Sequence, residues 1–233
     1  MTHPRGFSNR GATCWLNSLT QALLCLEHFA PHYKLLTPDG IISRRDIPPA
    51  MLRGQQCADE GLVQLLDRHA DMQKKTINRY RQRVNCDHCH ETHETVQKRT
   101  HTYVMDNKAA AVRGIPDVFR SREEHLSDYV CEKCGSKGGV LKEQWCFGSQ
   151  VLIIVLNRFT TKDSFTYPLE FQVSGLHYTL KAQILHSGSR FGGHYIAQGI
   201  RNGKHYVFND SQVHPITDFV ITPGAFVLFY ERK

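Results

Sequence analysis

Hydrophobic and polar positions change period along the 233-residue chain. Near the start, Trp15, Leu16, Leu19, Leu23 and Leu26 recur at helical spacing, with Ala22 on the same face. That pattern predicts an amphipathic helix after a Gly/Asn-rich lead. Pro31 follows and stops the helix, and Pro38, Gly40, Pro48 and Pro49 mark a loop-rich connection. Leu62, Leu65, Leu66 and His69 form the inner face of a second predicted helix, over about Cys57 to Met72. The period then shortens. Val151 to Leu156 is a continuous apolar run, which predicts a buried strand, and Tyr178 to Leu185 alternates. His194 to Ile200 and Lys204 to Asn209 flank Arg201-Asn-Gly203, which predicts a hairpin with an Asn-Gly turn. Ala225 to Tyr230 is the last predicted strand.

Helices first and an antiparallel sheet last predict the α+β class. The coarse division is helical over 1–75, mixed over 76–150 and β over 151–233, with no internal repeat or low-complexity linker. The expectation is one compact domain over 1–233.

Composition removes several classes. Hydrophobic residues at 40% and charged residues at 22% suit a soluble globular protein. The longest strongly apolar runs are far short of the ~20 residues that span a bilayer, and the polar start is no signal peptide. A cytoplasmic or nuclear location is expected, with no membrane partner. The net charge of +7 is spread along the chain, and its densest patch, Arg79 to Arg83, is short. Nucleic acid is therefore not an expected partner.

Eight cysteines change the picture more. Four fall into Cys86-Asp-His-Cys89 and Cys131-Glu-Lys-Cys134, separated by 41 residues (90 to 130). Each pair offers two thiolates on one turn, and two such turns close a tetrahedral site. One structural Zn²⁺ fits four soft ligands with no open position. His88, His90 and His93 compete as ligands, but the paired spacing favours the four cysteines. Two extended arms are expected to carry the turns. Cys25 and Cys146 read as core residues, and Trp15 and Trp145 as packing residues. No organic cofactor is expected.

Cys14 stands where the Gly-containing lead meets the first helix. Unpaired N–H groups and the partial positive charge of a helix N-terminus favour a thiolate there. With a nearby amide such as Asn9, those N–H groups can bind the oxyanion of an acyl-transfer intermediate. Taken alone, the position of Cys14 favours a small buried residue packing the helix start, and a thiolate nucleophile also needs a base. His194 follows Gly192-Gly193 at the start of a predicted strand, and the hairpin makes it a neighbour of Asn209-Asp210. Either residue could orient the imidazole. Cys, His and Asn or Asp are the nucleophile, base and orienter of cysteine proteases.

These residues carry a family resemblance. Gly6-Phe-Ser-Asn-Arg-Gly-Ala-Thr-Cys-Trp-Leu-Asn-Ser-Leu-Thr-Gln21 resembles the Cys box of the ubiquitin-specific proteases. Gly193-His-Tyr195 followed by Tyr206-Val-Phe-Asn-Asp210 resembles their His box. Gln55-Gln-Cys-Ala-Asp-Glu60 and Leu156-Asn-Arg-Phe159 resemble segments between the two. The resemblance implies a papain-like fold with helical thumb, antiparallel β palm and zinc-bearing β fingers that cup ubiquitin. It implies a thiol protease, acting as a monomer, that cleaves the bond after the C-terminal Gly of ubiquitin. Cys14 would be nucleophile, His194 base, Asn209 the chief orienter and Asn9 part of the oxyanion hole. Asp210 would assist the imidazole or the oxyanion site. Gly193 and Tyr195 would line the channel for the substrate tail, and Glu60 would pair with an arginine of that tail. Cys57 stands where the family commonly has Asp, and Gly61 where it has an aromatic. Cys57 thus bears on tail affinity and on the choice among ubiquitin-like modifiers. Competing expectations are a ubiquitin-binding scaffold without activity, a protease for another ubiquitin-like modifier, and a zinc-ribbon nucleic-acid module.

Overall fold

The computed structural model describes residues 3–29, 54–94, 98–157, 166–189 and 191–233. Pro31, Pro38, Gly40, Pro48, Pro49 and Phe159 lie outside the described residues.

The thumb carries α1 (Cys14–Leu23), α2 (Ala58–Arg68) and α3 (Ala70–Thr76). The fingers are a five-stranded sheet built on β1 (Asn78–Cys86), with β2 (Thr92–Glu94) and β3 (Lys98–Thr100) pairing its outer edge. Next in the chain come β4 (Thr102–Met105), α4 (Asn107–Arg113) and α5 (Ile115–Arg120). Then β5 (Ser121–Val130) and β6 (Lys137–Phe147) complete the fingers in the order β2-β1-β6-β5. The palm comprises β4 together with β7 (Val151–Leu156), β8 (Glu170–Val173), β9 (Leu176–Ser189), β10 (Gly192–Arg201), β11 (Lys204–Asn209), β12 (Gln212–Ile216) and β13 (Ala225–Arg232). Its order is β12-β11-β10-β9-β13-β7-β4, with β8 on β9. The expected α+β class and the thumb, palm and finger layers hold. One pair departs from the antiparallel expectation: β4 runs parallel to β7.

The palm lies between two cores, which explains why β7 is apolar at every position. Val151, Ile153 and Val155 face a core shared with Trp15, Leu19 and Leu62 of the thumb helices. Leu152, Ile154 and Leu156 face the opposite core, with Phe119, Trp145 and Tyr178. Side chains alternate between faces, so a strand covered on both sides needs an unbroken hydrophobic run. The predicted hairpin forms with Asn202 and Gly203 both at positive φ (53° and 74°), the conformation that the Asn-Gly pair accepts most readily.

Three expectations are corrected. The second helix does not run unbroken to Met72. His69 (φ −119°, ψ 86°) leaves the helical region and separates α2 from α3. Cys25 is buried as expected but lies beyond the end of α1. Cys146 is exposed rather than core, because it follows buried Trp145 on β6 and strand parity turns it outward.

Candidate active site

Cys14 is the first residue of α1, so its N–H and that of Trp15 have no acceptor within the helix. The approach to it is a tight loop with Gly11 and Ala12 at positive φ (88° and 54°). Asn9 holds that loop. Its Oδ1 accepts from the N–H groups of Gly11 (3.1 Å) and Thr13 (3.2 Å) and from the Thr13 hydroxyl (3.2 Å). Cys14 is buried, and its helix packs on the palm through Leu16, Leu19, Tyr195 and Ala197.

His194 sits at the start of β10 and Asn209 at the end of β11. The ladder places Ala197 opposite Phe208, so the two polar residues meet just past the last paired positions. His194 Nε2 lies 2.7 Å from Asn209 Oδ1. Among the described residues no hydrogen bond joins the Cys14 thiol to His194. Asp210 makes no hydrogen bond to the imidazole among the described residues either. Its φ of +51° turns its carboxylate the other way, toward Asn9 and Asn17. Asn17, inside the Cys box but given no role from sequence, is therefore part of this site.

Residues expected to line the substrate channel border a cleft of about 200 Å³. Gln55, Cys57 and Glu60 form one wall, and Phe191, Gly192 and Tyr195 belong to the other. The Gln55 amide crosses between them and donates to the Gly193 carbonyl. The packing around Gly193 itself excludes a side chain: a Cβ there would lie 2.3 Å from the Ser187 carbonyl oxygen and 2.4 Å from His186 Nε2. Tyr195 is buried, with its ring 4.4 Å from that of His186. Burial pushes the Tyr195 phenol well up, and its hydroxyl meets the Cys57 thiol and the N–H of Ala58. Cys57 is the N-cap of α2. Burial also pushes its thiol up, against the opposing pull of the Glu60 and Asp59 N–H groups. Gly61 makes room for a large neighbour, since a Cβ there would lie 2.3 Å from the Trp15 ring.

The four paired cysteines converge at the tip of the fingers, with all sulfurs within 4.8 Å of one another. Cys86 and Cys134 are 3.7 Å apart, and Cys89 and Cys131 are 3.6 Å apart. Tetrahedral Zn–S bonds of ~2.3 Å require S···S separations of ~3.8 Å, so the set fits zinc. Backbone bonds from His90 N–H to the Cys86 carbonyl and from Gly135 N–H to the Cys131 carbonyl shape the two turns. Lys133 pairs with Glu91 across them. His93 Nε2 lies 3.7 Å from Cys131 Sγ, outside the sulfur set.

A family model described as ubiquitin carboxyl-terminal hydrolase matches residues 5–230. Ubiquitin carboxyl-terminal hydrolase 4 of Vanderwaltozyma polyspora is 46% identical over 70 residues, covering 28% of this chain and 8% of the relative. Ubiquitin carboxyl-terminal hydrolase 4 of Bos taurus is 29% identical over 178 residues, covering 64% and 18%. The chain thus spans less than a fifth of the length of these curated relatives. Among solved structures, the SAGA Ubp8/Sgf11/Sus1/Sgf73 DUB module bound to ubiquitin aldehyde superposes with a TM-score of 0.78 at 19% identity. That match covers 99% of this chain and 70% of the other, and it shows the shared fold. With the family model covering both the Cys14 loop and the His194–Asn209 hairpin, the chain belongs to the ubiquitin carboxyl-terminal hydrolase family.

Proposed function

We propose that the chain is the catalytic domain of a cysteine-type deubiquitinase. The observation that carries this reading is the His194–Asn209 hydrogen bond on the hairpin beside α1, whose first residue is Cys14. Cys14 Sγ attacks the carbonyl carbon after the C-terminal Gly of ubiquitin. The developing oxyanion is met by the unpaired N–H groups at the start of α1 and by the Asn9 amide. His194, held by Asn209, takes the thiol proton and delivers it to the departing lysine amine. Water activated by His194 then attacks the thioester carbon and releases Cys14. The Cys14–His194 contact forms in the substrate complex, as catalytic hydrogen bonds commonly do.

Ubiquitin's tail would enter the cleft between Glu60 and Tyr195, with the Gln55–Gly193 bridge opening to admit it. The narrow channel suits an extended peptide. One Zn²⁺ would be held by Cys86, Cys89, Cys131 and Cys134, and its role is structural. The partners are ubiquitin and ubiquitinated proteins, met by a monomer in the cytoplasm or nucleus. No described helix is long and apolar enough to cross a membrane.

The test is covalent labelling by ubiquitin bearing a C-terminal electrophile. Labelling at Cys14, abolished in Cys14→Ala while ubiquitin binding persists, supports the reading. Ubiquitin binding without labelling would make the chain a scaffold, and labelling only by another modifier would change the substrate.

A further inference from the structure

Asn17 lies one helical turn after Cys14 on α1, so the two share a face of the helix. Asn17 is 6% exposed, and its amide reaches out of α1 toward the end of β11. Its Nδ2 faces three oxygens: Asp210 Oδ1 at 2.7 Å, the Phe7 carbonyl at 3.3 Å and the Ser8 carbonyl at 3.4 Å. Acceptors alone around that nitrogen fix the sense of the amide. The second oxygen of the same carboxylate, Asp210 Oδ2, accepts from Asn9 Nδ2 at 3.0 Å. The Asn9 amide is fixed independently by the three donors on its Oδ1.

One carboxylate therefore receives two amides and ties three segments together. They are the helix that starts with Cys14, the loop that carries Asn9 and the strand that ends with Asn209. Backbone bonds already hold two of these segments, the loop and the strand. The β11–β12 turn is closed by the Asn209 and Gln212 pairing. The loop is tied by the Phe7 N–H to the Asp210 carbonyl at 2.8 Å. The carboxylate clasp adds the placement of the Cys14 helix, and of the Asn9 amide, relative to that pair. It also occupies one N–H of the Asn9 amide and leaves the other for a ligand.

We infer that Asn17 is a positioning residue of the active site, acting through Asp210. It sets the spacing between the nucleophile, the Asn9 amide and the orienter Asn209. The inference rests on the proposed function for its effect on turnover, and on the hydrogen bonds alone for the clasp itself. Asn17 does not meet the reacting atoms; it holds the carboxylate that holds Asn9.

The test is a reciprocal exchange. Asn17→Asp sets two carboxylates against each other. Asp210→Asn leaves an amide nitrogen facing one of its two amide partners. Each single variant should lower kcat on a fluorogenic ubiquitin C-terminal amide by about 100-fold, with KM moving less than about threefold. The defect of Asn17→Asp should ease as pH falls, because one shared proton relieves a carboxylate pair. In Asn17→Asp/Asp210→Asn the new amide donates to the new carboxylate and still accepts from Asn9, but the new carboxylate oxygen also meets the Phe7 and Ser8 carbonyls, so the rescue is partial. The double variant should regain about threefold in kcat over either single variant, and its melting temperature should lie above the sum of the two single effects. A purely structural role would lower the melting temperature without separating kcat from KM. Single variants with unchanged kcat, or a double variant no faster than the slower single, would overturn the inference. Melting temperatures of the same four proteins report the clasp without reference to turnover. A wild type inactive on ubiquitin but with coupled melting temperatures would discard the function and keep the clasp. Additive melting temperatures would discard the clasp.

Discussion

His194 Nε2 and Asn209 Oδ1 are 2.7 Å apart, across the open end of a hairpin whose turn is the Asn202-Gly203 pair. The acceptor on Nε2 makes that nitrogen the N–H and leaves Nδ1 as the basic atom, the one that the proposed mechanism uses on Cys14. Asn209→Ala should therefore cut kcat by about 100-fold while KM stays within about threefold, since the imidazole loses its tautomer and aim rather than any substrate contact. A carboxylate in place of the amide would supply the same acceptor, so Asn209→Asp should retain most activity. Steady-state kinetics on a ubiquitin amide decides this. A larger loss of kcat in Asp210→Ala than in Asn209→Ala is also compatible with the clasp, but unchanged kcat in Asn209→Ala would remove Asn209 from the mechanism.

The finger tip should depend on metal. Binding of structural zinc contributes ~10 kcal/mol or more to local order in small cysteine sites. Chelation should expose backbone amides at the ends of β1, β5 and β6, while β7 and β13, buried between two cores, keep their protection. Hydrogen exchange with and without chelator measures both. The expected stoichiometry is one zinc per chain, and protein purified without chelator that holds no zinc would refute the assignment.

Local strings make the chemistry legible in the sequence, whereas long-range pairing is not. Cys14, His194 and Asn209 stand in compact motifs, and the β7 run reports its own double burial. The Asn17–Asp210 bond joins residues 193 positions apart, and no periodicity reveals which amide faces which carboxylate. The short helices α4 and α5, of 7 and 6 residues, are too brief to show a hydrophobic period. Their boundaries are nonetheless marked, by the Asp106 cap, by Gly114 and by Pro116 in the first turn. Cys146 departs from its expected place because a buried Trp145 on a strand dictates an outward neighbour. That parity signal overrides the general tendency of cysteine to be buried.

Acid should loosen the junction of thumb and palm. His101 Nδ1 lies 3.0 Å from Thr76 Oγ1, joining the end of α3 to the start of β4. Burial holds His101 below its ordinary value of 6.5, although the Asp67 charge opposes the shift. The unfolded chain therefore takes up a proton near that ordinary value before the folded chain does. The contribution to stability is full above it and is lost as pH falls toward the folded value. His101→Gln keeps a hydrogen-bonding group and removes the titration. Its urea midpoint should fall less than the wild type's between about pH 7.5 and about pH 5. Equal falls in the two proteins would assign the acid sensitivity to other groups.

Cys57 gives the most direct handle on the substrate cleft. It caps α2 with extended backbone (φ −83°, ψ 132°), and the Asp59 and Glu60 N–H groups pull on its thiol without forming a full capping hydrogen bond. It lines the cleft beside Glu60 and packs against the thumb core. Burial keeps the thiol neutral, so it serves as a weak donor or acceptor. A carboxylate at this position would accept from the first-turn N–H groups of α2, a capping interaction of about 1 kcal/mol. Asp59 and Glu60 place two acids in the same turn, which holds the gain toward the lower end. Cys57→Asp should accordingly raise the melting temperature by no more than about 2–4 °C. In the cleft, the added charge should attract a cationic or N–H group of the ubiquitin tail. Recovery of ~1.4 kcal/mol as uniform binding would lower KM about tenfold with kcat unchanged. Melting and kinetics must be read together, because they separate the two surroundings of Cys57. A lower KM with equal or higher melting temperature places the side chain on the tail. A lower melting temperature without tighter binding means that the carboxylate has entered the core unpaired, and the tail contact is then excluded.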